Sequence, residues 1–252
     1  MNYYWDWGFF FQTADDGNLY WEWVANAWAM TLLVSLVAFC IALTLGTLVG
    51  TGRTTNSRII RYGCTAYTEV FRNIPLLVQL FLWFFVLPEL LARPASLWMK
   101  TQLSPWVLGS VGLGLYTSAR IAEQIRAGLT SLSSGQKSAA MAIGMRPIQI
   151  YAYVLLPNAF RRVFPTLTTE AMSILKNSSV TFVVGVLELT FQYRQIIEKT
   201  SQVFEITIVN LLIYMLSAVT VFSLATLYEQ RVLLRSEQPL TVKKAGGSAN
   251  VI

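Results

Sequence analysis

From Val24 to Gly52 the chain carries no charged residue, and a second uncharged run extends from Ile206 to Tyr228. Each run exceeds the roughly 20 apolar residues that a helix needs to cross the hydrocarbon core of a bilayer. The first is read as a span over 26–50, closing in the stretch Gly46-Thr47-Leu48-Val49-Gly50, and the second as a span over 205–228. Between them lie three apolar segments with polar interruptions. Segment 64–90 contains Glu69, Arg72, Asn73, Pro75 and Pro88; segment 105–125 is apolar until Arg120 and Glu123; segment 163–187 carries Glu170, Lys176 and Asn177. A charge inside a span costs at least ~2.5 kcal/mol on insertion scales. Each segment is therefore expected to cross only if its charged face points into protein.

Composition supports a membrane class: 54% of the 252 residues are hydrophobic and 13% charged, against about 25% charged in an ordinary soluble domain. The distribution of the cations then sets a direction. Before the first span stand Asp6, Asp15, Asp16 and Glu22 with no Lys or Arg. Arg53, Arg58 and Arg61 follow it; Arg126, Lys137, Arg146, Arg161 and Arg162 follow the third; Arg231, Arg235, Lys243 and Lys244 follow the fifth. The two other connections hold only Arg93, Lys100, Arg194 and Lys199. By the positive-inside rule the expected fold is an all-α integral membrane protein with five transmembrane helices, the N-terminus outside and the C-terminus cytoplasmic. Residues 1–25, dense in Tyr and Trp, are expected at the outer membrane interface. A transmembrane domain over 26–236 follows, and the Lys/Gly/Ser-rich tail 237–252 is expected to be disordered.

Much chemistry is excluded. Without histidine there is no His-based triad and no histidine metal or haem site; no metal site is expected. Cys40 and Cys64 sit in or beside apolar runs and read as small core residues, not a disulfide. The acidic start does not read as a signal peptide. No internal repeat of the kind that builds inverted-repeat carriers is visible.

The polar residues inside the spans invite two readings. Glu69, Arg72 and Asn73 share a helical face, and a Glu69–Arg72 pair that holds helix packing is expected. Tyr116, Arg120 and Glu123 share another, where Arg120 needs an anion: Glu123 three residues on, or the carboxylate of a substrate. Glu170, Ser173 and Asn177 form a polar stripe with Lys176 one step round, suited to lining a cavity or to interhelical hydrogen bonds.

Loop 127–162 is the most informative stretch. Small residues from Gln136 to Ile143 predict a short helix stopped by Gly144; Pro147 suits the first turn of a second one, which Pro157 should end. Ala139, Ala140 and Ala142 would let another protein surface approach closely, although an amphipathic interfacial loop would look similar. The run from Gln136 to Pro157 resembles the signature loop of ABC-importer permease subunits, in which Glu-Ala-Ala is followed by a glycine and then by Leu-Pro. Ser138 stands where that pattern has glutamate, so any salt bridge that glutamate makes in the family is absent here, while Ala139, Ala140, Gly144, Leu156 and Pro157 match. Phe71-Arg72-Asn73-Ile74-Pro75-Leu76-Leu77-Val78-Gln79, Glu123 with Arg126, and Lys176-Asn177-Ser178-Ser179 resemble the polar amino-acid uptake (histidine/glutamine/glutamate) branch. Ala119-Arg120 and Leu155-Leu156-Pro157-Asn158-Ala159 resemble its glutamate/aspartate subgroup.

This resemblance implies a type I ABC-importer permease of the bacterial inner membrane, not an enzyme. It binds no cofactor, while a partner ATPase uses ATP and Mg. The chain agrees in having no Gly-Lys-Ser/Thr phosphate loop. Implied partners are a second permease subunit, identical or homologous, two copies of a cytoplasmic ATPase, an external solute-binding protein and membrane lipid; no nucleic acid is implied. Gln136, Ser138, Ala139, Ala140, Gly144, Leu156 and Pro157 are then the ATPase-coupling residues, and Arg120, Glu123, Glu170, Ser173, Lys176 and Asn177 the candidates for a substrate pathway with alternating access. A self-sufficient secondary carrier or channel would use the same buried charges without needing the small-residue loop. A membrane enzyme would have to work with Asp, Glu, Lys or Ser alone.

Overall fold

The computed structural model describes residues 3–233; the tail expected to be disordered lies outside the described residues. The described chain is helical, with a single isolated bridge between Thr13 and Leu19. Helix α1, Tyr20–Gly52, is 33 residues long, or about 50 Å at 1.5 Å per residue. Glu22 closes its first turn by accepting the Leu19 N–H at 2.9 Å. Residues 20–25 are thus the first turns of α1, with Tyr20, Val24 and Ala27 buried along it.

The centre of the bundle is α1 against α6 (Pro105–Thr130), lying parallel and very close. A Cβ on Gly46 would stand 2.7 Å from Ile121 Cγ2, one on Gly50 2.6 Å from the Ala122 carbonyl oxygen, and one on Gly114 2.8 Å from Ile41 Cγ2. Only glycine permits this approach, the usual route to tight helix pairs where burial in lipid gives no hydrophobic drive. Helix α9, Leu156–Asn177, runs antiparallel to α6, with Gly128 against Val163. Val34, Ala38, Leu113, Ile121, Ile125, Ala159 and Ile174 form the core between the three.

Several expected segments are broken. α2 (Arg58–Asn73) and the run Leu76–Leu90 meet at 106°, so segment 64–90 is not one helix. Pro75 is the cause: its ring disfavours helical geometry at Ile74, which is extended, and it offers no N–H. The Gln79 amide caps the break by donating to the carbonyls of Phe71 (2.8 Å) and Ile74 (2.9 Å). Pro157, expected to end a short helix, does not. The chain continues from α8 (Pro147–Gln149) through a π-helical turn, Ile150–Leu155, directly into α9. The same device precedes Pro88, where Leu82–Val86 is π-helical within the run that opens as α3 (Leu76–Phe81) and closes as α4 (Leu87–Leu90). A wider turn just ahead of each proline absorbs the missing donor, so the helix continues where the sequence suggests a stop. After Asn177 the chain tightens into a 3-10 segment, Ser178–Val184, then Gly185 at φ +82 and α10 (Leu189–Thr200).

Two helical stretches, Tyr20–Gly52 and Val203–Arg231, are each long and apolar enough to cross a membrane; the bent pairs at 58–90 and 147–200 are so only when taken as single spans. The second long stretch contains α11 (Val203–Tyr228), which is widely exposed at Leu211, Leu216 and Leu224. A short helix α5 (Arg93–Thr101) precedes α6. Cys40 is exposed and Cys64 half-buried, and neither is bonded; Cys40 is on the bundle's outer surface, not in a core.

Candidate functional site

Two places bring the candidate residues together. The first is a polar cleft of about 390 Å³ between α2, α6 and α9, lined by Arg72, Tyr116, Arg120, Glu123, Gln124 and Glu170. α6 contributes four of these because positions 116, 120, 123 and 124 fall on one face. Glu170 projects from α9 with its side chain 5% exposed, and Arg120 Nε stands 3.1 Å from its Oε2. Gln124 Nε2 donates to Glu170 Oε1 at 2.9 Å. The expected anion for Arg120 is thus not Glu123 but a carboxylate on another helix. Glu123 turns the other way, towards Arg126 (Nε to Oε1, 3.0 Å) and Arg53, with Arg72 Nη1 3.8 Å from its Oε2. Arg53 caps the C-terminal end of α1, where a cation is favoured by the helix dipole.

A Glu69–Arg72 pair does not form: Glu69 is exposed, and Arg72 leans across to Glu123 of α6. Glu123 can bond Arg126 on its own helix while also meeting Arg53, a geometry that draws Arg72 away from Glu69. Arg72 and Arg120 keep 43% and 41% of their side chains exposed, so two guanidinium groups with spare donors face one cleft that also holds two carboxylates. Ser173, Lys176 and Asn177 do not line it. Ser173 Oγ is turned back to the Thr169 carbonyl at 2.8 Å, Lys176 is exposed, and Asn177 ends α9. Arg53 and Gln124 are additions. Gln124 carried a faint signal, a polar residue four after Arg120; nothing in the spacing links Arg53 to Glu123.

The second place is the loop joining α6 to α9. Its helix α7, Ser134–Ala142, ends at Gly144, whose φ of +79 a side chain would strain. The Gly144 N–H bonds the Met141 carbonyl (3.0 Å) and the Met145 N–H the Ala140 carbonyl (3.2 Å), which is the Schellman closure. Tyr151 donates to the Thr54 carbonyl at 3.0 Å, and Arg162 donates to that of Ser131 at 2.9 Å; these bonds tie the loop to the ends of α1 and α6. Within it Ser138, Ala139, Gly144 and Pro157 are exposed, Gln136 and Leu156 half-buried, and Ala140 buried at 4% exposure. Ala140 was expected to meet another protein; instead its methyl lies in the central core cluster with Ile150. Exposed apolar side chains flank it: Ala139 and, one turn on, Ile143 (78% exposed) on one side, and Met141 and Ile148 (82% exposed) beside a pocket on the other.

The sequence matches the family described as binding-protein-dependent transport system inner membrane component over residues 42–234. It is 37% identical over 239 residues to the glutamate/aspartate import permease protein GltJ of Escherichia coli (strain K12), covering 93% of this chain and 97% of that protein. It is 38% identical over 185 residues to the probable glutamine ABC transporter permease protein GlnM of Bacillus subtilis (strain 168), covering 73% and 82%. Its fold superposes on a chain from the crystal structure of an amino acid ABC transporter with histidines at a TM-score of 0.71, with 30% identity over 84% of this chain and 95% of that one. An inward-facing form of the MetNI methionine ABC transporter shares the fold at a TM-score of 0.65 and 20% identity, covering 82% and 93%. The chain belongs to the family of inner-membrane components of binding-protein-dependent transport systems, as a permease subunit of an ABC transporter and not an enzyme.

Proposed function

We propose that this chain is the permease of an ABC importer for polar amino acids, with glutamate and aspartate as its substrates. The observation that carries the reading is the α2–α6–α9 cleft, where Arg72 and Arg120 present half-exposed guanidinium groups beside Glu123 and Glu170. Two cations suit the two carboxylates of an acidic amino acid, and a glutamate side chain suits its ammonium group. The likeness to GltJ supports the same substrate class. Ser173, Lys176 and Asn177 belong to a later stretch of the same passage.

The chain crosses the membrane five times, by α1, the bent α2–α4 run, α6, the α9 run and α11. Its N-terminus is outside and its C-terminus cytoplasmic, as the cation-rich connections indicate. Gln136, Ser138, Ala139, Gly144, Leu156 and Pro157 then form the cytoplasmic coupling surface for an ATPase, with Ala140 holding it in shape. ATP and Mg act on that ATPase, two copies of which serve a permease pair, and a solute-binding protein delivers the amino acid. Nucleotide-driven closure of the ATPases tips the bundle between inward- and outward-open states.

The test is uptake by proteoliposomes holding the permease pair, its ATPase and its binding protein. Glutamate and aspartate uptake should exceed that of glutamine and neutral amino acids. Arg120→Lys should reduce it nearly as far as Arg120→Ala, since lysine keeps the charge but loses the two-pronged contact. Wild-type uptake by the lysine variant at normal abundance would remove Arg120 from the substrate path. Equal uptake of neutral amino acids with every binding protein tried would remove the acidic preference.

A further inference from the structure

On the outside of the bundle, where α1, α9 and α11 come together, runs a groove of about 540 Å³. Its walls are apolar: Phe39 and Leu43 from α1, Phe164 and Ala171 from α9, Val221 and Ala225 from α11. Arg161 and Tyr228 stand at one end; Thr168, further in, turns its hydroxyl back to the Phe164 carbonyl at 3.2 Å. Arg161 is exposed and has no acidic partner among the described residues. Arg231, three residues beyond Tyr228 in the π-helical continuation Glu229–Leu233, does not itself line the groove but is also exposed and without an acidic partner among the described residues.

The dimensions are telling. From Arg161 to Ala171 along α9 is about 15 Å at 1.5 Å per residue, half of the roughly 30 Å hydrocarbon core. A trough one leaflet deep, apolar within and cationic at its mouth, repeats the order of groups in a membrane lipid. A carboxylate does not line it, so the lining offers no partner to the ammonium of a zwitterionic headgroup, whereas a phosphodiester with no cation of its own finds the Arg161 guanidinium and the Tyr228 hydroxyl as donors. The cationic end is the cytoplasmic one in the orientation proposed above, the leaflet side where basic pockets between helices take anionic headgroups.

We infer that this groove is a binding site for an anionic glycerophospholipid, with its phosphodiester at Arg161 and Arg231 and an acyl chain laid between α1, α9 and α11. The lipid fills the gap beside α11, whose own surface is otherwise widely exposed, and so fastens that helix to the bundle.

The test uses the complete transporter, purified in detergent and titrated with dioleoylphosphatidylglycerol or dioleoylphosphatidylcholine, with bound lipid counted by native mass spectrometry. The wild type should retain phosphatidylglycerol at least five-fold better than phosphatidylcholine. Arg161→Ala with Arg231→Ala should bring the two lipids level, Arg161→Lys should keep more than half of the preference, and Ala225→Trp, which fills the trough, should expel both. Equal retention of the two lipids by the wild type overturns the inference without recourse to any variant. So does an unchanged preference in the double alanine variant. Separation of the permease pair by Ala225→Trp with lipid counts unchanged would also overturn it, by making the groove a subunit interface.

Discussion

Arg120 and Glu123 lie three residues apart on one helix, yet Arg120 takes its ionic partner from outside it. The guanidinium of Arg120 meets Glu170 of α9, and Glu123 bridges Arg53 of α1 and Arg72 of α2 as well as Arg126. Spacing along a sequence tests pairs three or four apart; it is blind to a partner fifty or seventy positions away, which only the packing of α1, α6 and α9 creates. The sequence therefore marked Arg120, Glu123 and Glu170 as residues in need of partners, because charge inside a span demands one, but left the pairings open. The assignment makes a measurable claim. Glu170→Gln should lower the unfolding free energy by roughly 2–3 kcal/mol, less than the ~3–5 kcal/mol for breaking a fully buried pair because Arg120 is 41% exposed. Arg120→Met combined with Glu170→Gln should recover part of that loss, giving a coupling of about 1 kcal/mol or more in a double-mutant cycle of denaturant unfolding. Additive losses would mean that the two side chains act separately.

Elements were legible where the apolar pattern is continuous and illegible where proline or glycine alters it. α1 and α11 follow from uncharged runs; the 106° bend at Pro75 and the π-helical turns before Pro88 and Pro157 do not, since a proline alone does not say whether a helix stops, bends or reroutes its bonds. The glycines of α1 are similar: sequence shows them, and only the structure shows α6 against them. Gly50→Ala should cost roughly 1–3 kcal/mol by forcing α1 and α6 apart, given a Cβ 2.6 Å from the Ala122 carbonyl oxygen. Gly63→Ala, with nothing within 4 Å, should be neutral or stabilising by up to ~1 kcal/mol; thermal unfolding of the two variants side by side decides it. The segment before α1 behaves as a strap. Phe9 is buried beside Tyr20, Lys199 pairs with Asp15, and Asp16 accepts from Asn18 and from the Trp23 ring N–H (2.9 Å). The Asn18 side-chain amide, then the other donors, holds the Asp16 carboxyl below its ordinary value although partial desolvation opposes them. A carboxyl whose value is lowered by folding stabilises the folded form at pH above its unfolded value and loses that contribution as pH falls through the folded one. Amide-exchange protection over 7–19 should thus hold from neutral pH to about pH 4 and fall below it, and Asp16→Asn should flatten that fall. Loss of protection already at pH 6 would assign the strap's hold to another group.

At the scale of the whole molecule, one loop has to serve both the fold of this chain and its attachment to another, and adjacent alanines divide the work. Ala140 is buried against the π-helical turn, whereas Ala139 is exposed on the side of α7 that Ile143 continues one turn later. The sequence presents them as equivalent small residues of a docking motif; the phase of α7, set by the closure at Gly144, separates them. Ala140→Glu would bring an unpaired carboxylate into the core, at a cost of several kcal/mol, and should lower the amount of folded permease in the membrane by several-fold. Ala139→Glu points the same group into water, so abundance and unfolding temperature of the isolated permease should stay within the narrow range of surface substitutions, about 0.5 kcal/mol. Its effect should appear only in assembly. A carboxylate on this exposed apolar side of α7 leaves a desolvated charge at the seam with the ATPase, and the amount of ATPase that co-purifies should drop at least ten-fold, with binding-protein-stimulated ATP hydrolysis falling in proportion. Measuring abundance, unfolding and co-purification on both variants separates the two duties. If Ala139→Glu left the ATPase attached and its stimulation intact, that side of α7 would not be the docking surface. If Ala140→Glu remained abundant and lost only the ATPase, the packing of α7 onto the bundle would be misassigned.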